Sequence, residues 1–376
     1  MALHEQFQAL QADMESHLFE RHEEIGGLIL ALLSRQHVLL VGPKGAAKSM
    51  MIRVLAQAIQ GAQYFERLLT RFTLPEELFG PVSISALKKD RFSRVTHNYL
   101  PEAHFAFLDE IWKANSSILN SLLTLINERL FYNDGDIIQS PLETLMGASG
   151  EVPQDEALAA LYDRFLLRFR VRYIVGEGPF LDMVGDARAP VLETPVSLDT
   201  IHEAQDAVAS VEVDRPLLEA LATVRRRLQA EGVVPSDRRL KESLSVVRAQ
   251  AWMRGRDYAV EDDLAILGDI LWDDPAEESL VRGLVLDVAN PHDKRAREIM
   301  DALEVALVNL QGLEQERDRT MGAVEFLSKL RTARKELQTL RQRVRRRNVD
   351  PAEFDHFLKE TKRYEREVKR DYLEKE

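Results

Sequence analysis

Up to about residue 175 the apolar positions alternate between two periods. Ile25 to Leu33 has the three-and-four spacing of a helix, and His37 to Val41 follows as a short β-rich run. Beyond a loop that begins at Gly42, a second helical pattern runs from about Lys48 to Ile59, and Arg67 to Phe72 offers a weaker strand. Residues 73 to 98 are irregular, with breaks at Pro75, Gly80 and Pro81. Phe105 to Leu108 is continuously apolar, as in a strand covered on both faces, and a Leu- and Asn-rich helix follows from Ser116 to Arg129. Leu142 to Gly147 and Leu166 to Tyr173 supply two more strands. Strands alternating with helices predict an α/β fold in which helices flank a parallel sheet.

After residue 175 the pattern changes. Gly176, Gly178, Pro179, Gly185, Pro190 and Pro195 punctuate a stretch that reads as a linker over 176–210, and Leu217 to Trp272 then reads as helices without strands. In the last portion Leu330, Ala333, Leu337, Leu340 and Val344 lie in one helical seam. The seam lasts only two heptads, which predicts a hairpin or bundle within the protomer over a long intermolecular coiled coil. The expected division is an α/β core over 1–175, the linker, an all-α domain over 211–290 and a charged helical region over 291–376. No repeat of solenoid length is present.

Composition narrows the chemistry. With 376 residues, 45% of them hydrophobic, the chain can bury two or three ordinary cores. A formal net charge of -12 repels polyanions, so duplex nucleic acid is a poor partner for the whole molecule. The five arginines from Arg341 to Arg347 read as a solvated helix face in preference to a nucleic-acid or lipid patch. The chain has no cysteine, which removes disulfides, thiolate metal sites and cysteine nucleophiles, and its nine histidines include no His-x-x-x-His pair beside a carboxylate. There is no signal-peptide pattern and no apolar run long enough to span a bilayer, so a cytoplasmic protein without a membrane segment is expected.

The segment from Gly42 to Ser49 joins a predicted strand to a predicted helix, where backbone amides and the helix N-terminus can face phosphate. The expected nucleotide-binding set is Gly42, Pro43, Lys44, Gly45, Ala46, Ala47, Lys48, Ser49 and Met50, with Asp109. Lys48 would reach the terminal phosphates, and Ser49 would ligate Mg²⁺. Ala47 stands where glycine is usual; at a helix entry with negative φ, Ala is sterically acceptable. A Gly, Lys and Ser at this spacing arises by chance in about one chain of this size in ten, so the loop alone is only suggestive. A second element adds to it. The apolar strand from Phe105 runs into Asp109 and Glu110, placing two carboxylates where open α/β sheets bind ligands. Asp109 would hold Mg²⁺ through water, and Glu110 would act as general base on the attacking water.

With these elements, the sequence resembles the MoxR family of AAA+ ATPases, most closely its RavA-like branch. The matching stretches are Thr70 to Pro81, Leu100 to Ala103, Phe107 to Ala114, Ile126 to Arg129, Leu161 to Phe165, and Ser236-Asp237-Arg238-Arg239. They span about residues 15 to 275. The resemblance implies a P-loop AAA+ core with an all-α lid, ATP and Mg²⁺ as ligands, and a hexameric ring with nucleotide between protomers. It assigns Arg164 as an arginine finger acting on the neighbour's nucleotide, a local ion pair with Asp163 being the alternative. It assigns Arg238 as the second sensor in cis, with Arg239 one residue away as competitor. Glu128 and Arg129 would line a subunit interface or pair on their own helix. Phe19 to Glu24 is the expected base pocket, by position only. The segment from Pro75 to Pro81 belongs to an insertion that in this family precedes a hairpin facing the ring pore, which implies contact with a protein client, and a partner with a von Willebrand factor A domain is implied. One departure stands out: Gly147-Ala148-Ser149-Gly150 has glycine where the family places a water-orienting Asn, which puts efficient hydrolysis in question. The expected functions are therefore an ATP-driven remodelling or chaperone-like motor, a nucleotide-gated assembly scaffold with slow hydrolysis, or, against the charge balance, a nucleic-acid motor.

Overall fold

In the computed structural model, which describes residues 2–153, 158–186, 190–313, 316–346 and 351–373, the first apolar runs become α1 (Leu3–His17), α2 (His22–Ser34) and β1 (Val38–Val41). The loop at Gly42 leads into α3 (Lys48–Ala58), and a two-residue β2 (Ile59–Gln60) precedes β3 (Tyr64–Leu68). Two short helices, α4 (Pro75–Phe79) and α5 (Ile84–Leu87), come before β4 (Phe105–Asp109) and α6 (Ser116–Glu128). A hairpin of β5 (Leu130–Asn133) and β6 (Asp136–Gln139) is followed by β7 (Thr144–Ser149), α7 (Ala159–Tyr162) and β8 (Leu167–Arg170).

The main sheet has the order β3-β4-β7-β1-β8, and every neighbouring pair is parallel. All its strands therefore end at one edge and begin at the other. β1 and β7 are buried along their whole length and β4 as far as Leu108, which is what their continuous apolar runs require. Leu39, Ala106, Leu108 and Leu145 form one core with Ile118, Leu122 and Leu125 of α6 and with Leu161 and Phe165. On β8, α2 approaches so closely that a Cβ on Gly27 would meet the Phe169 ring at 2.0 Å.

The strand limits differ from the sequence expectation. β3 lies upstream of the expected Arg67–Phe72 because the Thr73 hydroxyl accepts the Thr70 amide at 2.8 Å, turning the chain out of the sheet. The hairpin was not expected, although Asp134-Gly135 between two apolar runs is the usual signal for one. The stretch 176–210, read as a linker, holds α8 (Glu177–Gly185), β9 (Val196–Ser197) and α9 (Leu198–Ala209). Gly and Pro break only its first part; α9 buries Ile201, Ala204 and Val208, and its Gln205 donates to the Leu32 carbonyl of α2 at 2.9 Å. α10 (Arg215–Ala230), α11 (Asp237–Met253) and α12 (Glu278–Ala289) follow.

The chain forms two compact units, 1–281 and 282–376. The second contains α13 (Pro291–Gln311), α14 (Glu316–Arg346) and α15 (Ala352–Tyr372). Its own core includes the seam from Leu330 to Val344 together with Phe326, Phe354 and Val368. Arg341 pairs with Asp355 at 2.7 Å, while Arg347 and the side chains of Arg343, Arg345 and Arg346 lie outside the described residues. Among the described residues no helix is long and apolar enough to cross a membrane.

His37, just before β1, is buried. Its Nδ1 accepts the Leu145 amide at 3.0 Å, so the proton sits on Nε2 and is donated to the Ile126 carbonyl at 3.3 Å. Burial, helped by the positive charge of Arg129, holds its pKa at about 3. The unfolded chain takes up this proton near pH 6.5, so the stabilisation is complete above that pH and is lost as pH falls toward 3. The limiting slope from one such group is about 1.4 kcal/mol per pH unit. Denaturant unfolding between pH 6.5 and 5 should show this component, and His37→Gln should remove it; identical slopes for both proteins would mean that His37 is charged in the fold.

Candidate active site

The carboxyl edge of the sheet gathers the predicted phosphate loop and both acidic residues. Gly42 donates to the Ser149 carbonyl at 3.0 Å, and a Cβ on it would stand 2.0 Å from the Val171 carbonyl oxygen, so no other residue fits there. Gly45 has φ +79°. The expectation of negative φ at Ala47 is corrected: its φ is +66°, because the chain reverses there while its carbonyl accepts the Met51 amide at 3.0 Å. Lys48 is buried and donates from Nζ to the carbonyls of Gly42 at 2.6 Å and Pro43 at 2.8 Å. Burial lowers its pKa, while Asp109 and Glu110 oppose the shift.

Ser49 Oγ donates to Asp109 Oδ2 at 3.2 Å, and Asp109 Oδ1 accepts the Glu110 amide at 2.9 Å. Glu110 has φ +53° and its carboxylate lies 3.1 Å from Lys113 Nζ, a partner that sequence reasoning missed. Asp109 pairs in register with Ala148, and Val41 with Ser149, so β7 ends between the loop and the acidic pair. The Ser149 hydroxyl accepts the Glu151 amide at 3.3 Å. Gly150 lacks a left-handed φ and a Cβ there would meet nothing within 4 Å, so the backbone does not demand glycine. Among the described residues no cluster of three His, Asp or Glu side chains could hold a metal by itself. The oxygen pair of Ser49 and Asp109 fits Mg²⁺, which keeps waters and phosphate oxygens as its other ligands.

The segment expected as base pocket also reaches this edge. The Glu20 carboxylate accepts the amides of Val175 at 2.8 Å and Gly176 at 2.9 Å, and Arg21 donates to the Arg172 carbonyl at 2.7 Å. Tyr173, another residue the sequence did not single out, donates its hydroxyl to the Lys44 carbonyl at 3.0 Å.

The predicted arginines stand at the other edge. β8 runs beside β1 with Leu167 opposite Val38, so Arg164 precedes the amino end of the sheet and is separated from its own phosphate loop by the strand length, roughly 10 Å or more. Among the described residues the Arg164 guanidinium has no hydrogen bond or ion pair. The local pair with Asp163 is not formed; Asp163 instead accepts the Ser236 hydroxyl at 3.2 Å. Arg238 lies at this edge too, close enough to His37 to lower its pKa, and Gln36 meets Ser245 of the same helix at 3.1 Å. These contacts set α11 against the amino edge, whereas a sensor acting in cis, as the sequence suggested, would stand beside the loop after β1. Arg238 is partly exposed and pairs with Glu242 at 2.7 Å, whereas Arg239 is 1% exposed and locked in the interior. The Arg129 guanidinium turns onto its own chain, donating to the carbonyls of Leu142 at 2.7 Å, Arg35 at 2.9 Å and Glu143 at 3.2 Å.

Comparison with known proteins decides the family. A model described as the MoxR domain of MoxR-vWA-β-propeller ternary systems matches residues 5–186, and an AAA lid domain model matches 216–285. Two uncharacterised proteins of Methanocaldococcus jannaschii are similar: one is 35% identical over 94% of this chain and 94% of its own, the other 36% over 96% and 97%. The chaperone MoxR1 of Mycobacterium tuberculosis is 25% identical over 65% of this chain and 68% of its own. The chain belongs to the MoxR family of AAA+ ATPases. A solved ATPase candidate from Cytophaga hutchinsonii shares the fold, with a TM-score of 0.62 at 17% identity, covering 77% of this chain and 95% of its own.

Within this MoxR-family site Ala47 carries the steric cost of a left-handed residue, about 1–2 kcal/mol. Ala47→Gly should remove it, less what glycine loses in chain entropy, and raise the melting temperature by about 2 °C. Calorimetry checks this; a fall in melting temperature would show that the Ala47 conformation is unstrained.

Proposed function

We propose that this protein binds ATP and Mg²⁺ at the carboxyl edge of one protomer and hydrolyses the ATP with arginines from the amino edge of the next, in a hexameric ring that remodels a protein client. The observation that carries this reading is the placement of Arg164 and Arg238 at the amino edge and of Lys48, Ser49, Asp109 and Glu110 at the carboxyl edge, a strand length apart. Held that far from their own nucleotide site, these cations could act in hydrolysis only on a second copy's nucleotide.

The loop amides and the N-terminus of α3 would hold the phosphates, with Lys48 as a point charge and Ser49 and Asp109 on the metal. Bound there, Mg²⁺ would neutralise charge on the phosphate oxygens. Glu110 would take a proton from water as its oxygen bonds to the terminal phosphorus and the bond to ADP breaks. The neighbour's Arg164 would stabilise the charge on the group in transfer. Exposed Phe72, Leu74, Ile84, Leu87 and Phe92 support contact with a client. They are held out on ordered backbone, because the Asp134 carboxylate takes Arg91 at 2.7 Å and the Phe92 amide at 2.9 Å. A von Willebrand factor A partner, supported by the matched family's description, is part of the proposal, as are a RavA-like branch, resting on Ser236 to Arg239, and a cytoplasmic setting.

Arg164→Ala and Glu110→Gln proteins should each bind ATP and each lose turnover by about a thousandfold or more. An equimolar mixture should recover about a quarter of the wild-type rate, the share of interfaces in a random ring that join an intact Glu110 to an intact Arg164. Mixed rings without recovered turnover would exclude action in trans.

Gly150 favours a second reading, in which assembly is gated by nucleotide and hydrolysis is slow. The open space at this position accepts an amide. Gly150→Asn should raise single-turnover hydrolysis about tenfold, the equivalent of about 1.4 kcal/mol in the transition state, with affinity nearly unchanged. No change on Gly150→Asn, together with loss of activity on Ser149→Ala, would place the water-orienting role on Ser149.

A further inference from the structure

Arg168 and Arg239 are the two largest charged side chains buried to this degree, at 0% and 1% exposure, and they share one carboxylate oxygen. Asp273 Oδ1 lies 2.6 Å from Arg168 Nη1 and 2.5 Å from Arg239 Nη1. Every other hydrogen bond made by the two guanidinium groups goes to a backbone carbonyl. Arg168 donates to Phe165 at 3.1 Å, Tyr162 at 3.0 Å and Trp272 at 2.6 Å, while Arg239 donates to Ile270 and, at 3.3 Å, to Trp272. The Arg168 guanidinium also stacks over the Tyr162 ring, 3.7 Å from its centre.

The recipients of these bonds are not scattered. Tyr162 and Phe165 bracket Arg164, and Arg239 adjoins Arg238. Asp163 closes the circuit: its carboxylate accepts from Ser236, the cap of α11, and stands 3.9 Å from Arg239. Burial and the like charge of Arg168 pull Arg239 down to about 10, and Asp273 opposes them. Buried ion networks of this kind often add little net stability over apolar packing, and what this one does fix is geometry, since its bonds tie the segment from Tyr162 to Phe165 to the residues around Trp272.

We propose that Asp273 is a positioning residue: through Arg168 and Arg239 it sets Arg164 and Arg238 as one rigid pair, so that core and lid present both to a neighbouring copy's nucleotide. This rests on the trans-acting reading above. The Asp273 side chain is itself 56% exposed, so Asp273→Asn keeps the shape and removes only the shared charge.

The test uses full-length Asp273→Asn. A fluorescent ADP analogue should bind within about threefold of wild type, because the phosphate loop is at the other edge, while turnover falls about a hundredfold, as for a displaced catalytic group. An equimolar mixture with Glu110→Gln should recover turnover as far as the Arg164→Ala mixture does, whereas mixing with Arg164→Ala should recover none. If Asp273→Asn is insoluble, Arg239→Lys, which keeps the charge and loses the fork, goes through the same mixtures with the same expectation. Recovery with Arg164→Ala, or no recovery with Glu110→Gln, overturns the proposal. Failure of the Arg164→Ala and Glu110→Gln control overturns the trans-acting reading instead.

Discussion

Parallel pairing makes all five strands of the main sheet end at the same edge, and that polarity sorts the chemistry of the molecule. Chain leaving the carboxyl ends can turn into a helix whose first amides are unsatisfied, which suits an anion, and the acidic end of β4 lies close by. Chain entering the amino ends arrives from α7 and is crossed by α11, and both bring arginines. Neither set could migrate to the other edge without reversing a strand, which would break one ladder for β8 at the sheet's margin and two for β1, β7 or β4. The buried apolar runs of β1, β4 and β7 thus hold the two sets apart.

Against this apolar background Arg168 is an exception, a full charge inside a sheet strand. It is tolerated because every part of its fork is engaged, and its counter-ion reaches in from the helical domain, from the segment just before α12. A core side chain of this kind couples rigid bodies more tightly than apolar packing does. Apolar surfaces slide with little loss, but a guanidinium bonded to two segments permits one arrangement. The helical domain that follows the sheet is therefore locked to it at the amino edge by directional bonds.

Much of the carboxyl edge was legible because its parts are contiguous in sequence. Gly42 to Ser49 and Asp109-Glu110 each announce themselves within a few residues, and sheet topology does the rest. Strand limits were less legible, since pairing and not hydropathy ends a strand: the apolar run continues past Leu68, but the turn at Thr70 does not. The left-handed Ala47 was hidden because composition suggests a helix entry and only the loop's path fixes its φ. The side of the sheet on which Arg238 falls cannot be read from spacing at all. It follows from the course of α9 through a stretch whose Gly and Pro suggested a linker. Asp273 was invisible for the same reason, lying 105 residues from Arg168 in a segment with no pattern of its own.

A protein whose nucleotide groups and arginines occupy opposite edges of one sheet is constrained in the symmetry it can use. A two-fold axis presents the same surface twice and would have to bring both edges into one contact. Translation from edge to edge instead joins unlike surfaces, a heterologous contact that closes only if the rotation per copy divides a full turn, and otherwise climbs into a helix. In the proposed trans-acting assembly the arginines beside α11 would lie at that contact, so the angle at which α11 stands on the sheet would enter the rotation per copy and bear on whether the copies close or climb.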